Sequence, residues 1–295
     1  MVKILVTGAA GQVGSELLKL ASSDFDLVGY NSSELDITNS EQVQQIVAKE
    51  SPALIINAAA YTAVDKAEGD AKRAFAVNEA GVKNLVQAAL ALNIPIFHIS
   101  TDYVFDGKSS VPYKEMDPVG PTGVYGASKL GGEQVLANSG VEYIVLRTSW
   151  VFGAQGNNFV KTMLRLGQER ETLGVVADQY GCPTSAKSIA NLIWDLTNRY
   201  FQFGSLKWGV YNFNNMAPCS WCDFADEIFQ QAKVLGLVDQ NFIVKPINTS
   251  EFPTKAKRPM YSVLDTEKII KSYGVVIPKW KDELNSVLNE IIAVA

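Results

Sequence analysis

Cysteine and histidine are scarce in this chain, and their scarcity argues against two kinds of site. Among 295 residues there are three cysteines and one histidine, His98. An odd cysteine count fits a reducing compartment better than a disulfide framework. Cys219 and Cys222 form a CxxC, but a redox or metal role would need a thioredoxin-like context or two more ligands nearby. The only other cysteine is Cys182, and the only histidine, His98, lies inside a predicted strand. We therefore expect the CxxC to mark the start of a helix, and we predict no metal site.

Long apolar runs and excess positive charge are also absent. No run is long enough to cross a bilayer, and "MVKILVTG" leads directly into a strand pattern without a secretory layout. The net charge of -5 argues against a general binder of nucleic acid or anionic membranes. Apolar residues make up 47% and charged residues 19%, as in globular proteins with a large core. We expect a cytoplasmic protein that binds neither nucleic acid nor membrane.

Short apolar runs alternate with helical patterns over the first 150 residues. Strands are indicated by "KILVT", "DLVGY", "ALIIN", "PIFHIS" and "YIVLRTSW", and this alternation predicts a doubly wound, Rossmann-type parallel sheet in an α/β fold. After Gly153 the pattern is less regular, with helical stretches near 157–168, 185–199, 221–235 and 280–294. We predict a dinucleotide-binding domain over 1–153. Residues 154–295 would then form mainly a smaller α/β substrate-binding lobe, interleaved with the last sheet strands.

A glycine-rich loop follows the first predicted strand. In "VTGAAGQVGSEL", Gly8, Gly11 and Gly14 stand between that strand and a helix. Glycines let the backbone turn tightly and approach a pyrophosphate, which the free N–H groups and positive end of the helix then bind. This context predicts a dinucleotide cofactor, with a tight turn lacking any ligand as the less favoured alternative.

The end of the second strand decides which nicotinamide cofactor fits. NAD-selective sites usually have an acidic residue there for the ribose, but this chain has Asn31, Ser32 and Ser33. Neither an acid that would repel a 2′-phosphate nor an arginine that would bind one is present, so NADPH and NADH both stay open. Asp36 and Ile37 are placed to flank the adenine.

Two later features also fit a cofactor site. Small side chains at the end of the third strand would let a flat cofactor lie near the backbone: Ala58, Ala59 and Ala60. A helix predicted over 71–92 places Asn78 on one apolar face with Phe75 and Val82. Because a buried amide needs hydrogen-bond partners, Asn78 would serve either a proton relay toward Lys129 or a neighbouring backbone.

Chemically versatile residues follow the fourth strand. "HISTDYVFDG" places Thr101 and Asp102 at the carboxyl edge of the sheet, where ligands of open α/β sheets bind. In "VYGASKLGGE", Tyr125 and Lys129 are four residues apart and so share one helix face. This arrangement predicts carbonyl reduction, in which Tyr125 donates a proton to the oxygen that Thr101 hydrogen-bonds. Lys129 would lower the pKa of Tyr125 and hold the nicotinamide ribose.

These motifs resemble the extended short-chain dehydrogenase/reductase family. The strings "NAAAYTAVDKAE", "STDYVFDG", "RTSWVFG", "DQYGCPT" and "KRPMYSVLDTEK" are similar to one of its subgroups, the dTDP-4-dehydrorhamnose reductases, along nearly the whole chain. The resemblance implies a nucleotide-sugar substrate in polysaccharide biosynthesis. The reaction it implies is NAD(P)H-dependent reduction of the 4-keto group of dTDP-4-dehydro-L-rhamnose, which gives dTDP-L-rhamnose.

Roles for particular residues follow from the same resemblance. It implies pyrophosphate contacts from Gly11, Gln12 and Val13, and cofactor contacts from Ala60, Tyr61 and Thr62. It also implies substrate contacts from Thr101, Asp102 and Trp150. We add Arg258 as a hypothetical contact for the nucleotide diphosphate, because its planar fork suits phosphate oxygens. A solvated arginine is the alternative.

The chain departs from this subgroup at a dimer contact. Some members form a metal-linked dimer through acidic residues; Glu16 is retained, but "SAKSIANL" has Lys187 where a second acid would be expected. We therefore predict that no metal links two copies, although a homodimer stays possible.

Two other functions remain as alternatives. Nucleotide-sugar 4,6-dehydratases share the fold and the Tyr-Lys pair but use an acidic pair after the threonine, whereas Tyr103 follows Asp102 in this chain. Epimerases of the same fold are not distinguished by any sequence feature. A non-catalytic regulatory subunit, such as that of methionine adenosyltransferase, also resembles this group. Retention of Thr101, Tyr125 and Lys129 favours catalysis over that role.

Overall fold

The computed structural model describes residues 1–238 and 242–294, and its centre is a six-stranded parallel sheet. The strands are β1 (Val2–Thr7), β2 (Phe25–Tyr30), β3 (Leu54–Asn57), β4 (Ile96–Thr101), β5 (Tyr143–Thr148) and β10 (Gly209–Asn212). Their order is β2-β1-β3-β4-β5-β10. Runs such as Ile4, Leu5 and Val6 have no exposed surface, as expected of strands covered on both faces.

Helices cover both faces of this sheet, which confirms the doubly wound fold. On one face, α1 (Gln12–Lys19) and α8 (Ala186–Phe203) share an apolar core with β1, β3 and β5. On the other face, the core includes residues of α2 (Ser40–Glu50), α5 (Gly81–Leu92) and α6 (Val124–Ala137). The short helices α3 (Val64–Ala67) and α4 (Ala71–Phe75) precede α5.

The helix predicted over 71–92 is interrupted by a π-helical turn, Ala76–Ala80, between α4 and α5. The wider turn changes the angular relation between residues before and after it. Phe75 is therefore 37% exposed, while Asn78 and Val82 are buried. The prediction that Phe75 shares their buried face is wrong.

Much of the chain after Gly153 packs around a second apolar core that includes Phe224 and Trp280. Three helices contribute to it: α7 (Phe159–Glu169), α9 (Trp221–Val234) and α11 (Trp280–Val294). The two-stranded pairs are β6 (Val151–Phe152) with β9 (Thr184–Ser185), β7 (Thr172–Val176) with β12 (Ile243–Ile247), and β8 (Tyr180–Gly181) with β11 (Cys219–Ser220). In contrast, α8, β10 and α10 (Glu267–Tyr273) pack with the main sheet.

The CxxC stands at a helix start, as expected. Ser220 caps α9: its hydroxyl accepts from the Asp223 N–H at 3.0 Å, and the Asp223 carboxylate accepts from the Ser220 N–H at 2.9 Å. Burial raises the pKa of both Cys219 and Cys222, which disfavours their thiolates. Within the two described ranges, no three His, Cys, Asp or Glu residues cluster as a metal site would require. Nor does any helix there have the length and apolar character needed to span a membrane.

Candidate active site

Two adjoining cavities lie over the carboxyl edge of the sheet. The first has a volume of about 540 Å³ and the second about 470 Å³. Gly11, Ala58 and Ala60 line both, so the cavities form one groove across the glycine loop. This is the edge at which open α/β sheets bind their ligands.

The glycine loop is shaped by the absence of side chains. Gly8 has φ +69°, and a Cβ there would lie 2.6 Å from the backbone of Ala58. Gly14 packs against the Gly8 carbonyl with no room for a Cβ. Gly11 is the N-cap of α1 and offers no capping side chain. The first N–H groups of α1 are thus left for a ligand, as a pyrophosphate site requires.

The second cavity has the composition of an adenosine site. Besides shared glycine-loop residues, its lining comprises Asn31, Ser32, Leu35, Asp36, Ile37, Ala59, Tyr61, Arg73 and Val77 among others. Sequence order suggested that no arginine was available for a 2′-phosphate, but α4 brings Arg73 to the same cavity as Asn31 and Ser32. The arginine was missed because it follows the third strand rather than the second.

Asn78 fixes the backbone beside that cavity. Its Oδ1 accepts from the Tyr61 N–H at 2.8 Å, and its Nδ2 donates to the Tyr61 carbonyl at 3.0 Å and to Ser128 Oγ at 2.9 Å. These contacts satisfy the buried amide, and none involves Lys129. Of the two roles considered for Asn78, the structure therefore shows the backbone contact.

The first cavity unites the predicted reaction residues. Thr101, Asp102, Tyr125 and Lys129 all line it. Tyr125 is in the first turn of α6, and this turn approaches the end of β4 closely because Gly126 has no side chain to meet the Tyr103 carbonyl. Two of the predicted site residues, Gly14 and Asn78, line neither cavity, while the others line at least one.

The electrostatics of Tyr125 and Lys129 differ from what the sequence led us to expect. Burial raises the pKa of Tyr125 above that of an ordinary phenol, and a hydrogen bond with Thr101 opposes this only in part. Nζ of Lys129 instead donates to the Ile99 carbonyl at 2.6 Å and lies 3.2 Å from Nε2 of His98. The prediction that Lys129 lowers the pKa of Tyr125 is therefore wrong for this arrangement. Burial itself lowers the pKa of Lys129 to about 8.

Thr101 and Asp102 form the floor beside Tyr125. Oγ1 of Thr101 donates to the Asp102 carboxylate at 3.0 Å. Both residues are buried, and burial raises the pKa of Asp102 to about 6. At neutral pH a minority of the Asp102 carboxyl groups is therefore still protonated. This carboxyl group lies next to Thr101, which lines the cavity.

Two stacked tryptophans form another wall. Trp150 has φ +47°, and its ring lies 3.4 Å from that of Trp221, with 8° between their planes. Gly181 also lies against the Trp150 ring, and a Cβ there would come within 2.5 Å of it. Both tryptophans line the first cavity. Trp221, which the sequence reasoning missed, had no signal apart from its place at the start of a predicted helix.

Arg258 lines the first cavity and is paired with two neighbouring side chains. It donates to the Tyr103 hydroxyl at 2.9 Å and to the Asp65 carboxylate at 2.5 Å. Its side chain is 24% exposed, so the fully solvated arginine considered from sequence is not what the structure shows.

A glycine-loop groove that continues into a cavity lined by a tyrosine, a buried lysine and a buried threonine defines an extended short-chain dehydrogenase/reductase class. Comparison of the sequence and fold with known proteins places the chain more narrowly within this class. The chain belongs to the RmlD substrate binding domain family, whose profile matches residues 2–293.

Relatives with assigned activities match along nearly the full chain. The chain is 44% identical over 289 residues to a dTDP-4-dehydrorhamnose reductase of Aggregatibacter actinomycetemcomitans, covering 97% of this chain and 98% of that one. A solved dTDP-4-dehydrorhamnose reductase of Clostridium acetobutylicum is 38% identical, with a TM-score of 0.92 and coverage of 99% and 100%. One from Bacillus anthracis, solved in complex with NADP, is 38% identical, with a TM-score of 0.90 and coverage of 98% and 100%.

Proposed function

We propose that this protein reduces the 4-keto group of dTDP-4-dehydro-L-rhamnose with a reduced nicotinamide cofactor and releases dTDP-L-rhamnose. One observation carries the proposal: Thr101, Tyr125 and Lys129 line a cavity that continues into the glycine-loop groove. The 44% identity to a reductase with this name supports the choice of substrate.

The protein's own residues would supply the proton and the orientation. The raised pKa of Tyr125 keeps its phenol protonated at neutral pH, as a proton donor requires. Thr101, hydrogen-bonded to Tyr125, is placed to orient the same carbonyl oxygen. The cofactor, when bound, supplies the hydride. Lys129 lines the cavity beside Tyr125, where it can bind the nicotinamide ribose.

The substrate would occupy the remaining walls of the first cavity. Arg258 offers a guanidinium to the diphosphate, because its contacts with Asp65 and Tyr103 hold it at the rim. Trp150 and Trp221 would bound the sugar. The glycine loop, Ala60 and Thr62 lie between these walls and the adenosine cavity, so a dinucleotide can span the groove.

One side chain, Arg73, bears on the choice between NADPH and NADH. Arg73 lines the adenosine cavity with Asn31 and Ser32, where a 2′-phosphate would add charge to the ribose. A guanidinium favours that phosphate. We therefore propose NADPH as the preferred donor and NADH as a weaker one.

A dehydratase would require a second acid next to Asp102. Tyr103 stands there instead, and its hydroxyl accepts a hydrogen bond from Arg258. The test is stoichiometry with purified protein, dTDP-4-dehydro-L-rhamnose and NADPH. We expect one NADPH oxidised per dTDP-L-rhamnose formed. A cofactor that is recycled without net oxidation would indicate a dehydratase or epimerase, and no turnover would favour a non-catalytic role.

A further inference from the structure

The only histidine of the chain lies in a row of buried polar side chains behind the proposed reaction centre. Thr7 on β1 pairs in register with Asn57 on β3, and Asn57 pairs in register with His98 on β4. All three are at most 1% exposed. The side chain of Thr7 hydrogen-bonds that of Asn57, and Asn57 hydrogen-bonds His98. The row ends at Lys129, whose Nζ is the next partner of His98.

Hydrogen-bond counting fixes the orientation of the Asn57 amide. Its Oδ1 accepts from Thr7 Oγ1 at 2.7 Å and from the Ala59 N–H at 3.1 Å. A backbone N–H can only donate, so the atom that faces Ala59 must be the oxygen. Reversing the amide would place two donors against each other and leave a backbone N–H unpaired, at a cost of about 1–3 kcal/mol.

The orientation of Asn57 in turn determines which nitrogen of His98 carries the proton. Nδ2 of Asn57 is a donor and lies 2.9 Å from Nδ1 of His98, which must therefore be the acceptor. Burial lowers the pKa of His98 well below its usual range, so the ring is neutral and carries one proton. That proton must be on Nε2, the nitrogen 3.2 Å from Nζ of Lys129.

We infer that Asn57 locks His98 as its Nε2–H tautomer, and that His98 is a positioning residue which favours the neutral amine of Lys129. A neutral amine can accept from Nε2–H while it donates to the Ile99 carbonyl at 2.6 Å. An ammonium would face the Nε2–H group with another N–H. The row therefore makes the Lys129 proton easier to lose.

Other charged groups around Lys129 act in the opposite direction or are already paired. The nearby carboxylate is Glu133 on the same helix, which raises the pKa of Lys129 but is itself bound by Arg147 of β5 at 2.7 Å. Asp102 and Tyr125 line the same cavity as Lys129. Burial nevertheless prevails and lowers the pKa of Lys129 to about 8. We therefore expect Lys129 to gain or lose its proton near physiological pH.

One consequence depends on the proposed function. An anionic dinucleotide in the groove would favour the charged form of Lys129, so binding of NADPH near pH 8 would take up a proton. The 2′-phosphate is already ionised at that pH, because such phosphates lose their second proton near pH 6. Calorimetry in buffers of different ionisation enthalpy would measure the uptake.

The tautomer can be tested on the free protein, without cofactor or substrate. Because the chain has one histidine, ¹⁵N-histidine labelling gives only the two ring nitrogens of His98 in NMR spectra. We expect Nδ1 to be unprotonated and Nε2 protonated between pH 6 and pH 9, with a shift of the Nε2 signal at a midpoint near pH 8. Lys129→Met should abolish that midpoint.

Asn57→Asp should reverse the tautomer. Its carboxylate would accept from both Ala59 and Nδ1–H of His98, which leaves Nε2 as an acceptor for the ammonium and moves the midpoint up by about one pH unit or more. Asn191→Asp, an exposed change on α8, is the matched control and should leave both signals unchanged.

A protonated Nδ1 or an imidazolium in the wild-type protein at pH 7 would overturn the inference, even if Asn57→Asp does not fold. An unchanged tautomer in a folded Asn57→Asp protein would also overturn it. If the expected signals are found but NADPH does not bind, the proposed function fails and the inference stands.

Discussion

The hydroxyl of Tyr125 is the group on which the proposed chemistry depends. It belongs to a half-buried side chain that lines the first cavity and hydrogen-bonds Thr101. Its raised pKa keeps it protonated at neutral pH and makes it a weaker acid than an ordinary phenol. Catalysis therefore needs the proton to move only when negative charge develops on a substrate oxygen next to it.

Tyr125→Phe should lower kcat by about 10²–10⁴-fold, because a positioned general acid typically contributes that much. NADPH affinity, measured by fluorescence titration, should change by less than about twofold, since the ring itself stays in place. Tyr200→Phe on α8, outside both cavities, is the control. More than half of the wild-type activity in Tyr125→Phe would show that another group donates the proton.

Arg73 should distinguish the two nicotinamide cofactors. In Arg73→Ala, NADPH affinity should fall by about tenfold or more, because a charge-assisted contact is worth about 1.5–3 kcal/mol. NADH affinity should change little. Lys72→Ala removes a neighbouring exposed cation that lines neither cavity, so it controls for general loss of positive charge. Equal losses for both cofactors would refute a 2′-phosphate contact.

Asp102 should reveal its raised pKa of about 6 through stability. Its ordinary value is 3.8, so between pH 4 and pH 6 the folded form binds more protons than the unfolded form, and this group's contribution to stability falls as pH rises. The unfolding free energy of Asp102→Asn minus that of wild type should therefore increase by about 2–3 kcal/mol from pH 4 to pH 7. Urea denaturation at the two pH values measures the difference; a pH-independent difference would contradict the raised pKa.

At the residue scale, site residues that are close together along the chain could be predicted from the sequence. Site residues that meet only through tertiary packing could not. The glycine loop, Thr101 with Asp102, and Tyr125 with Lys129 follow from local spacing. Arg73 reaches Asn31 only through the packing of α4, and Trp221 meets Trp150 only through the second core. The surroundings of His98 could not be predicted, because its side-chain partners come from the neighbouring strand β3 and from α6.

Among the elements, α6 carries the reactive side chains and is positioned by its glycines. Gly126 faces the Tyr103 carbonyl, and Gly132 faces the Asn78 carbonyl with equally little room. The helix can therefore lie directly against the end of β4 and the π-helical turn. We expect these two contacts to set how far Tyr125 projects into the cavity.

Gly126→Ala should both destabilise the protein and impair turnover. The added methyl would overlap the Tyr103 carbonyl and push α6 outward, at a cost of about 1–3 kcal/mol. We expect a lower melting temperature and a kcat reduced by at least tenfold, since Tyr125 moves with the helix. Gln134→Ala, at an exposed position of α6, should affect neither. An unchanged kcat in Gly126→Ala would show that this contact does not position Tyr125.

Element order was largely predictable, since buried parallel strands are continuous apolar runs and the helices between them are amphipathic. The helices predicted near 185–199 and 221–235 occur as expected. The π-helical turn had no signal in the sequence, because it depends on tertiary contacts such as Asn78 with Tyr61. It accounts for the wrong placement of Phe75.

On the scale of the whole molecule, the two halves of the chain are intertwined. α8 and β10 come from the second half but pack with the main sheet. Gln12 of the glycine loop accepts a hydrogen bond from Asn158 at 2.9 Å. The division into 1–153 and 154–295 stays a prediction.

The face that includes α1 and α11 has a lysine between two carboxylates. Nζ of Lys19 lies 2.6 Å from Glu290 and 3.9 Å from Glu16. Burial raises the pKa of Glu16, and the positive charges of Lys19 and Lys187 partly oppose this rise. This positive charge favours our proposal that any homodimer forms without a bridging metal. Light scattering should give the same molar mass before and after EDTA treatment. Dissociation by EDTA and reassociation with Mg²⁺ would contradict the proposal.

The most direct measurement is a crystal structure of the protein with NADP⁺ and dTDP-L-rhamnose. We expect the sugar O4 within about 3 Å of the Tyr125 hydroxyl. The adenosine should lie beside Arg73 and the diphosphate of the sugar nucleotide beside Arg258. A sugar bound with O4 turned away from Tyr125, or a cofactor bound outside the glycine-loop groove, would contradict the proposed role of Tyr125 as proton donor.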